Sequence, residues 1–254
     1  MISYSQNFED VVLNRVFHNV KNGFYIDVGA WDPTSDSVTK HFYDKGWNGI
    51  NIEPVKRFYD KFVEQRPRDI NLNCVVSNTI GELLFKEYGD SGLSTYNEQF
   101  LPEVVINMGF TKSEYLVRST TLATIIQSLD VSEIHFLKID VEGAEKDVLM
   151  GMDWVKLRPK VILLEAIRPK LSEEDMYSFV PTWHEWEYIL NENGYEFALF
   201  DGLNRFYYKS EEPELQQYLS APANITDGFK LCSSHQLLPT KEKKSWKSIL
   251  TFRI

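Results

Sequence analysis

At 254 residues, 43% apolar and 14% aromatic, the chain is long enough to bury one substantial core, and its composition excludes the disordered and fibrous classes. A net charge of −10 argues against nucleic acid as a partner, since phosphate binding needs a basic face, and leaves cationic or neutral ligands compatible. Cys74 and Cys232 are too few for a disulfide framework or a cysteine metal cluster, and no apolar run reaches membrane-spanning length, so a soluble, cytoplasmic protein is expected.

Phe8, Val11, Val12 and Val16 share one helical stripe and predict an amphipathic helix ahead of the first strand, with Ser5 placed to cap it. On residue types alone, Tyr4, Ser5 and Gln6 read as capping. The run from Phe24 to Val28, bounded by Gly23 and Gly29, then predicts a strand buried on both faces. The carboxyl end of such a strand is where open α/β sheets bind ligands. Gly29 permits close backbone approach there, and the negative charge of Asp27 disfavours phosphates.

Thr34 or Ser35 is placed to cap a helix carrying Val38, Phe42 and Tyr43 to Gly46. Asn48 to Glu53 reads as the second strand, and Glu53 closes it where an acidic residue grips the ribose hydroxyls of an adenosine ligand. The pyrophosphate-binding glycines of a dinucleotide fingerprint are missing after Gly29, which disfavours a nicotinamide oxidoreductase. Pro54 opens a helix to about Arg66, and Asn71 to Val76 reads as a third strand closed by Ser77.

Gly81 to Tyr88 predicts an added strand, Gly89 to Thr111 a loop, Leu116 to Thr120 a strand, and Thr121 the cap of a short helix. Ile134 to Ile139 reads as strand four and ends in Asp140; Val141, Ala144, Val148 and Met152 give the next helix one apolar face, ending near Gly151. Lys160 to Glu165 is strand five. A helix from Thr182 to Asn193 and two strands, Tyr195 to Phe200 and Arg205 to Lys209, close the pattern around the turn Asp201 to Asn204. Strand–helix alternation predicts a mainly parallel sheet. Beyond Glu211, prolines and the basic cluster Lys241, Lys243, Lys244 and Lys247 suggest a C-terminal arm or linker.

Asp140, a strand-end carboxylate after an apolar run, needs a partner to offset its desolvation and reads as functional. Glu142 and Glu145 open a helix, where acids stabilise the dipole, and Glu165 ends strand five. Asp140, Glu142 and Glu165 are the catalytic candidates. They have an alternative as ligands of Mg²⁺ or Ca²⁺, which is not favoured because their spacing matches no metal motif. His184 is a better base candidate than His41. Trp183 and Trp186 offer faces for a sugar to stack on, and Arg168, Asp201, Asn204 and Arg205 offer polar partners for its hydroxyls.

Together, Asp27-Val28-Gly29-Ala30, Ile52-Glu53-Pro54, the run from Leu137 to Glu145, and Asp201 to Tyr207 resemble the FkbM-type family of S-adenosylmethionine-dependent methyltransferases, over roughly residues 3 to 210. Trp31 departs from the small or polar residue often found at its position. The resemblance implies a Rossmann-like class I methyltransferase fold, a mostly parallel seven-stranded sheet with helices on both faces. It implies a domain over 1–210, with the N-terminal helix 5–19 as a lid, and an arm or linker over 211–254. The cofactor would be S-adenosylmethionine, held by Gln6, Asp27, Gly29, Ala30, Glu53, Pro54, Val76 and Ser77, with Asp140 acting on the acceptor. The implied acceptor is a sugar hydroxyl in a surface polysaccharide or glycan, with His184 among the residues that meet it; a secondary metabolite is the alternative. A non-catalytic docking module in a glycan-assembly complex is the competing reading, and a homo-oligomer is compatible with either.

Overall fold

The computed structural model describes residues 1–89, 92–97, 112–156, 158–169 and 179–233. In chain order its strands are β1 (Ile2–Ser3), β2 (Phe24–Val28), β3 (Asn48–Ile52), β4 (Ile70–Leu72), β5 (Val75–Val76), β6 (Gly81–Tyr88), β7 (Lys112–Thr120), β8 (Phe136–Ile139), β9 (Val161–Glu165), β10 (Ile167–Pro169), β11 (Phe179–Pro181), β12 (Tyr195–Phe200), β13 (Asn204–Lys209) and β14 (Lys230–Leu231). Its α-helices are α1 (Glu9–Val16), α2 (Lys40–Asp44), α3 (Lys56–Gln65), α4 (Leu122–Gln127), α5 (Glu145–Met150) and α6 (Glu187–Glu192).

Seven strands form the main sheet in the order β12-β13-β9-β8-β2-β3-β4. The strands from β9 to β4 run parallel, and β13 runs antiparallel to both neighbours. The chain steps outward from β2 through β3 to β4 and then returns to the other side of β2 at β8. Strand order therefore reverses between β2 and β8, and the carboxyl ends of those strands diverge into a crevice. Every residue of β8 and β9 is buried, as strands covered on both faces require. One face packs Ile26, Leu137 and Ile162 against Val148 and Ile189; the other packs Tyr25, Phe136 and Leu163 against Leu13, Phe42 and Trp47.

Several elements depart from the sequence reading. The predicted third strand is two strands in two sheets: β4 edges the main sheet, and β5 joins a three-stranded sheet ordered β5-β7-β6. Asn73 turns the chain between them, its amide donating to the carbonyls of Glu53 and Pro54 at 2.9 and 2.8 Å. Thr34 and Ser35 do not cap α2; their N–H groups donate to Asp32 Oδ1, both at 2.9 Å, and the helix starts at Lys40. The expected helix from Thr182 is a 3₁₀ turn over Trp183–Glu185 followed by α6. α5 begins only at Glu145, because Glu142 and Gly143 occupy left-handed backbone at φ 53° and 93°. Ser5 does contribute to capping α1, its Oγ accepting from Asp10 N–H at 3.2 Å.

Part of the segment beyond Glu211 packs back on the N-terminus. β14 pairs in parallel with β1, and Arg15 binds both carboxylate oxygens of Asp227 at 2.9 and 2.8 Å. The basic cluster from Lys241 to Lys247 and most of the Gly89 to Thr111 loop lie outside the described residues. No described helix is long and apolar enough to cross a membrane.

Candidate functional site

The first wall of the crevice is the turn after β2. Gly29 and Ala30 both donate to the Ile52 carbonyl at 3.1 Å, which folds the turn down onto the end of β3. Gly29 has φ 76°, and a Cβ there would stand 1.8 Å from the Asp140 carbonyl oxygen, so only glycine fits. Trp31 is also left-handed, at φ 52°. Its ring meets Phe58 edge-on at 5.9 Å, and its buried indole N–H has no hydrogen-bond partner among the described residues. Glu53 locks this arrangement, accepting from Trp31 N–H at 2.9 Å and Val55 N–H at 2.7 Å. Burial pushes the Glu53 carboxyl up to about 7.

A roof closes over this wall. Val75, Phe85 and Val117 of the three-stranded sheet pack with Val55 and Phe58, and Phe58, Val76 and Phe85 line the pocket beneath. A strap at residues 94–97 then sews the roof to the opposite wall. Thr95 Oγ1 donates to the Glu142 carbonyl at 3.0 Å, Asn97 Nδ2 to the Gly143 carbonyl at 2.6 Å, and Tyr96 Oη to Asp147 Oδ2 at 3.3 Å.

That opposite wall is the turn between β8 and α5. Asp140 N–H donates to the Val28 carbonyl at 3.0 Å, so the two walls share backbone contacts on both sides. Glu145 accepts from Gly143 N–H at 3.1 Å and fixes the left-handed pair; burial pushes its own carboxyl up to about 7. One oxygen each from Asp140, Glu142 and Glu165 lies within 4.8 Å of the others. Glu165 is held well above the usual carboxylate range, first by burial and then by the charges of Asp140 and Glu145; it is also hydrogen-bonded to Asp140. Two carboxyls this close disfavour being charged together, and Glu165, more buried than the one-third-exposed Asp140, is the one whose carboxyl is pushed up. Beneath them Lys138 Nζ meets Asp27 Oδ1 at 3.1 Å, the Gly29 carbonyl at 2.6 Å and Asp140 Oδ2 at 3.7 Å.

With this geometry in place, comparison with known proteins identifies the chain's relatives. The sequence profile described as "Methyltransferase FkbM domain" matches residues 27–197. The chain belongs to the FkbM methyltransferase family. The crystal structure of methyltransferase FkbM from Methylobacillus flagellatus KT superposes with a TM-score of 0.43 at 14% identity, over 74% of this chain and 44% of that one. No curated protein matches the sequence.

Of the residues singled out in the sequence, Gln6, Gly29, Ala30, Glu53, Pro54, Val76, Asp140 and Glu142 line the pocket. Asp27 and Ser77 do not. Asp27 lies beneath the turn, with Thr39 Oγ1 on its second oxygen at 3.1 Å, and Ser77 is buried with its N–H on the Thr120 carbonyl at 2.9 Å. Glu165 stands behind Asp140 rather than in the lining.

None of the five predicted acceptor residues lines it either. Asn204 donates to Glu9 Oε1 at 2.8 Å, and Asp201 accepts from Leu203 and Asn204 N–H at 2.9 and 2.7 Å, so this pair docks the N-terminal segment against the β12–β13 turn. Arg205 is engaged by Glu187 at 2.5 Å and lies over the Phe197 ring at 3.8 Å; His184 is exposed; Arg168 sits in the β10–β11 arm. His41 is packed against Phe42 with its pKa lowered to about 4, burial being the first cause. Lys138, Phe85, Thr95 and Tyr96 also line the pocket. Only Lys138 leaves a sequence signal, as an ammonium inside an otherwise apolar buried strand.

Proposed function

We propose that the chain is an S-adenosylmethionine-dependent O-methyltransferase of Rossmann-like class I architecture, acting in the cytoplasm on a hydroxyl of a sugar in a surface polysaccharide or glycan. One observation carries this reading: the Gly29 turn with Glu53 faces the Asp140–Glu142 turn across a single crevice at the strand-order reversal. S-adenosylmethionine, when bound, supplies an electrophilic methyl group on a cationic sulfonium. The residues fit such a ligand. Gly29 brings bare backbone to the pocket wall, Glu53 presents a carboxyl at the end of β3, and Val76, Phe85 and Phe58 give apolar walls for a base. Carboxylates outnumber the ammonium of Lys138, which suits a cation.

Methyl transfer to a hydroxyl requires the acceptor's proton to go somewhere, and a placed general base contributes about a hundred- to ten-thousand-fold in rate. Asp140 is the carboxylate to receive it, lining the pocket and one-third exposed, while Glu165 hydrogen-bonds it from behind. Glu142 orients the acceptor from the same turn. The sugar part of the reading draws on the family resemblance, with Trp183 and Phe200 lying 5.8 Å apart beside the β12–β13 turn. Aromatic faces of this kind stack on the C–H faces of sugars.

Calorimetric titration of S-adenosylmethionine and S-adenosylhomocysteine into wild type, Glu53→Ala and Asp140→Asn tests the reading without knowledge of the acceptor. The expected result is binding in about the micromolar range, lost with Glu53→Ala and kept with Asp140→Asn. Binding of neither compound to the wild type would sink the reading and leave a docking role in glycan assembly.

A further inference from the structure

Lys138 is the residue whose surroundings exceed any scaffold need. Its side chain is about nine-tenths buried at the centre of β8, and an ammonium withdrawn from water costs several kcal/mol unless it is paired. Asp27, 1% exposed and 3.1 Å away, is a sufficient partner for charge balance. Yet the same ammonium also donates to the Gly29 carbonyl at 2.6 Å and reaches Asp140 Oδ2 at 3.7 Å. Those two contacts belong to the two walls of the crevice. The walls also touch directly: Gly29 has no room for a Cβ because the Asp140 carbonyl occupies it, and Asp140 N–H donates to Val28. Both backbone turns therefore rest on one positive charge.

We infer that Lys138 is the positioning residue of this site, tying the Gly29 turn that holds the donor to the Asp140 carboxylate that meets the acceptor. This rests on the methyltransferase reading for the names of the two ligands, but the tie is a property of the two turns. The consequence is geometric coupling. Displacing the Gly29 carbonyl shifts Lys138, and through it the Asp140 carboxylate, so donor binding and acceptor-side orientation are set together. Misplacement by about 1 Å is enough to cost a hundredfold in rate when reacting groups are held by such contacts.

Among the described residues, the carboxyls around the ammonium and its partners come from several elements. Asp27 comes from β2, Asp140 from the end of β8, Glu165 from β9, Glu145 from α5, Glu53 from the end of β3 and Glu9 from α1. Removing Lys138 alone strands Asp27 without its cation, and Lys138→Met is expected to unfold for that reason alone. The informative variant is the double change Asp27→Asn with Lys138→Met, which removes both charges. A purely structural pair predicts that this variant melts like wild type and binds S-adenosylhomocysteine like wild type.

The positioning role predicts a different split. The double variant melts near wild type, binds S-adenosylhomocysteine about tenfold more weakly or worse, and shows displaced amide resonances at Gly29, Ala30 and Val141. Lys138→Arg, which restores a cation on the same strand, recovers part of that affinity. Wild-type affinity in a folded double variant overturns the inference.

Should the double variant not fold, Asp140→Asn decides. It leaves the Asp27 pair intact, and the tie predicts movement of the Gly29 amide and the Lys138 ammonium resonances, whereas unmoved resonances overturn it. If the wild type binds neither S-adenosylmethionine nor S-adenosylhomocysteine, the functional reading has failed, and the Asp140→Asn resonances still decide the tie.

Discussion

Two buried ionic networks sit on the same face of the main sheet, and they are built differently. Near the amino ends of β2 and β3, Asp69 accepts from Tyr25 Oη at 2.6 Å, Gly49 N–H at 2.9 Å and Asn51 Nδ2 at 2.9 Å, with Arg66 at 3.8 Å as its cation. Arg66 in turn donates to the Pro33 carbonyl at 3.0 Å and Ser37 Oγ at 3.1 Å. That network is balanced one to one, its carboxylate accepts three hydrogen bonds, and both charged side chains are fully buried. Near the carboxyl ends, Lys138 faces Asp27 and Asp140, with Glu165, Glu145, Glu53 and Glu9 close behind. The first network balances its charge and holds the scaffold. The second carries surplus carboxylates, three of which burial pushes up to about 7, and a surplus of that kind marks a site prepared for a ligand or a proton.

The sharpest way to break this comparison is to cut the balanced network. Asp69→Ala leaves Arg66 buried without its carboxylate, and losing one partner of a buried pair costs about 3 to 5 kcal/mol. For a chain of this size that lowers Tm by roughly 10 °C, readable in a thermal melt. Ligand binding by the surviving folded fraction is expected to stay unchanged. A mild Tm change would remove the claim that this pair carries the scaffold.

Next in size is the contact between the two walls. Gly29→Ala forces a methyl group against the Asp140 carbonyl and a side chain into left-handed backbone, a strain of roughly 1 to 3 kcal/mol. The turn must move to relieve it, so S-adenosylhomocysteine binding is expected to fall below detection while the fold survives. Calorimetry beside a melt separates the two effects.

The surplus carboxylates also predict a pH dependence. Glu53 sits at about 7 in the folded chain against an ordinary 4.5, so between those values the folded state keeps a proton that the unfolded chain releases. The folded state binds more protons there, and stability from this group is present at low pH and falls as pH rises through that window. Glu145 and Glu9 act in the same direction. His41, lowered to about 4, acts oppositely, because the unfolded chain takes up a proton that the buried ring refuses. The measurement is therefore a difference: Glu53→Gln is expected to flatten the decline in Tm across the window relative to wild type. An identical slope would show that Glu53 is ionised in the folded protein.

These networks also separate what the sequence made legible from what it hid. Gly29, Glu53, Asp140 and Glu165 each end a strand, so a local pattern of apolar run, acid and glycine was enough to place them at one end of the sheet. Lys138 lies in such a run, but its role depends on Asp27, Gly29 and Asp140 converging from separate segments, which no local pattern encodes. The roof was hidden for a similar reason. Residues 71–76 read as one strand, and only the bonds from Asn73 to the Glu53 and Pro54 carbonyls divert β5 into a second sheet. Arg205 misled because residue type suggests a sugar contact, whereas Glu187, Phe197 and Trp183 engage its guanidinium.

The smallest expected effect is the most discriminating. Burial and the charges of Asp140 and Glu145 hold the Glu165 carboxyl well above its ordinary range, which favours its protonated form, and a protonated carboxyl differs from an amide mainly in which atom donates. Glu165→Gln keeps the volume and keeps a donor for Asp140, so its stability at neutral pH is expected to match wild type within about 1 kcal/mol. In the balanced network the corresponding change, Asp69→Asn, removes the charge that Arg66 needs and is expected to cost several times more. If Glu165 were instead ionised, the amide would relieve repulsion from Asp140 and Glu145, and the variant would be clearly more stable than wild type. A melt of Glu165→Gln beside Asp69→Asn therefore reads the protonation state of the site: Asp69→Asn lowers Tm in either case, whereas Glu165→Gln leaves Tm unchanged only when Glu165 holds its proton and raises it when Glu165 is ionised.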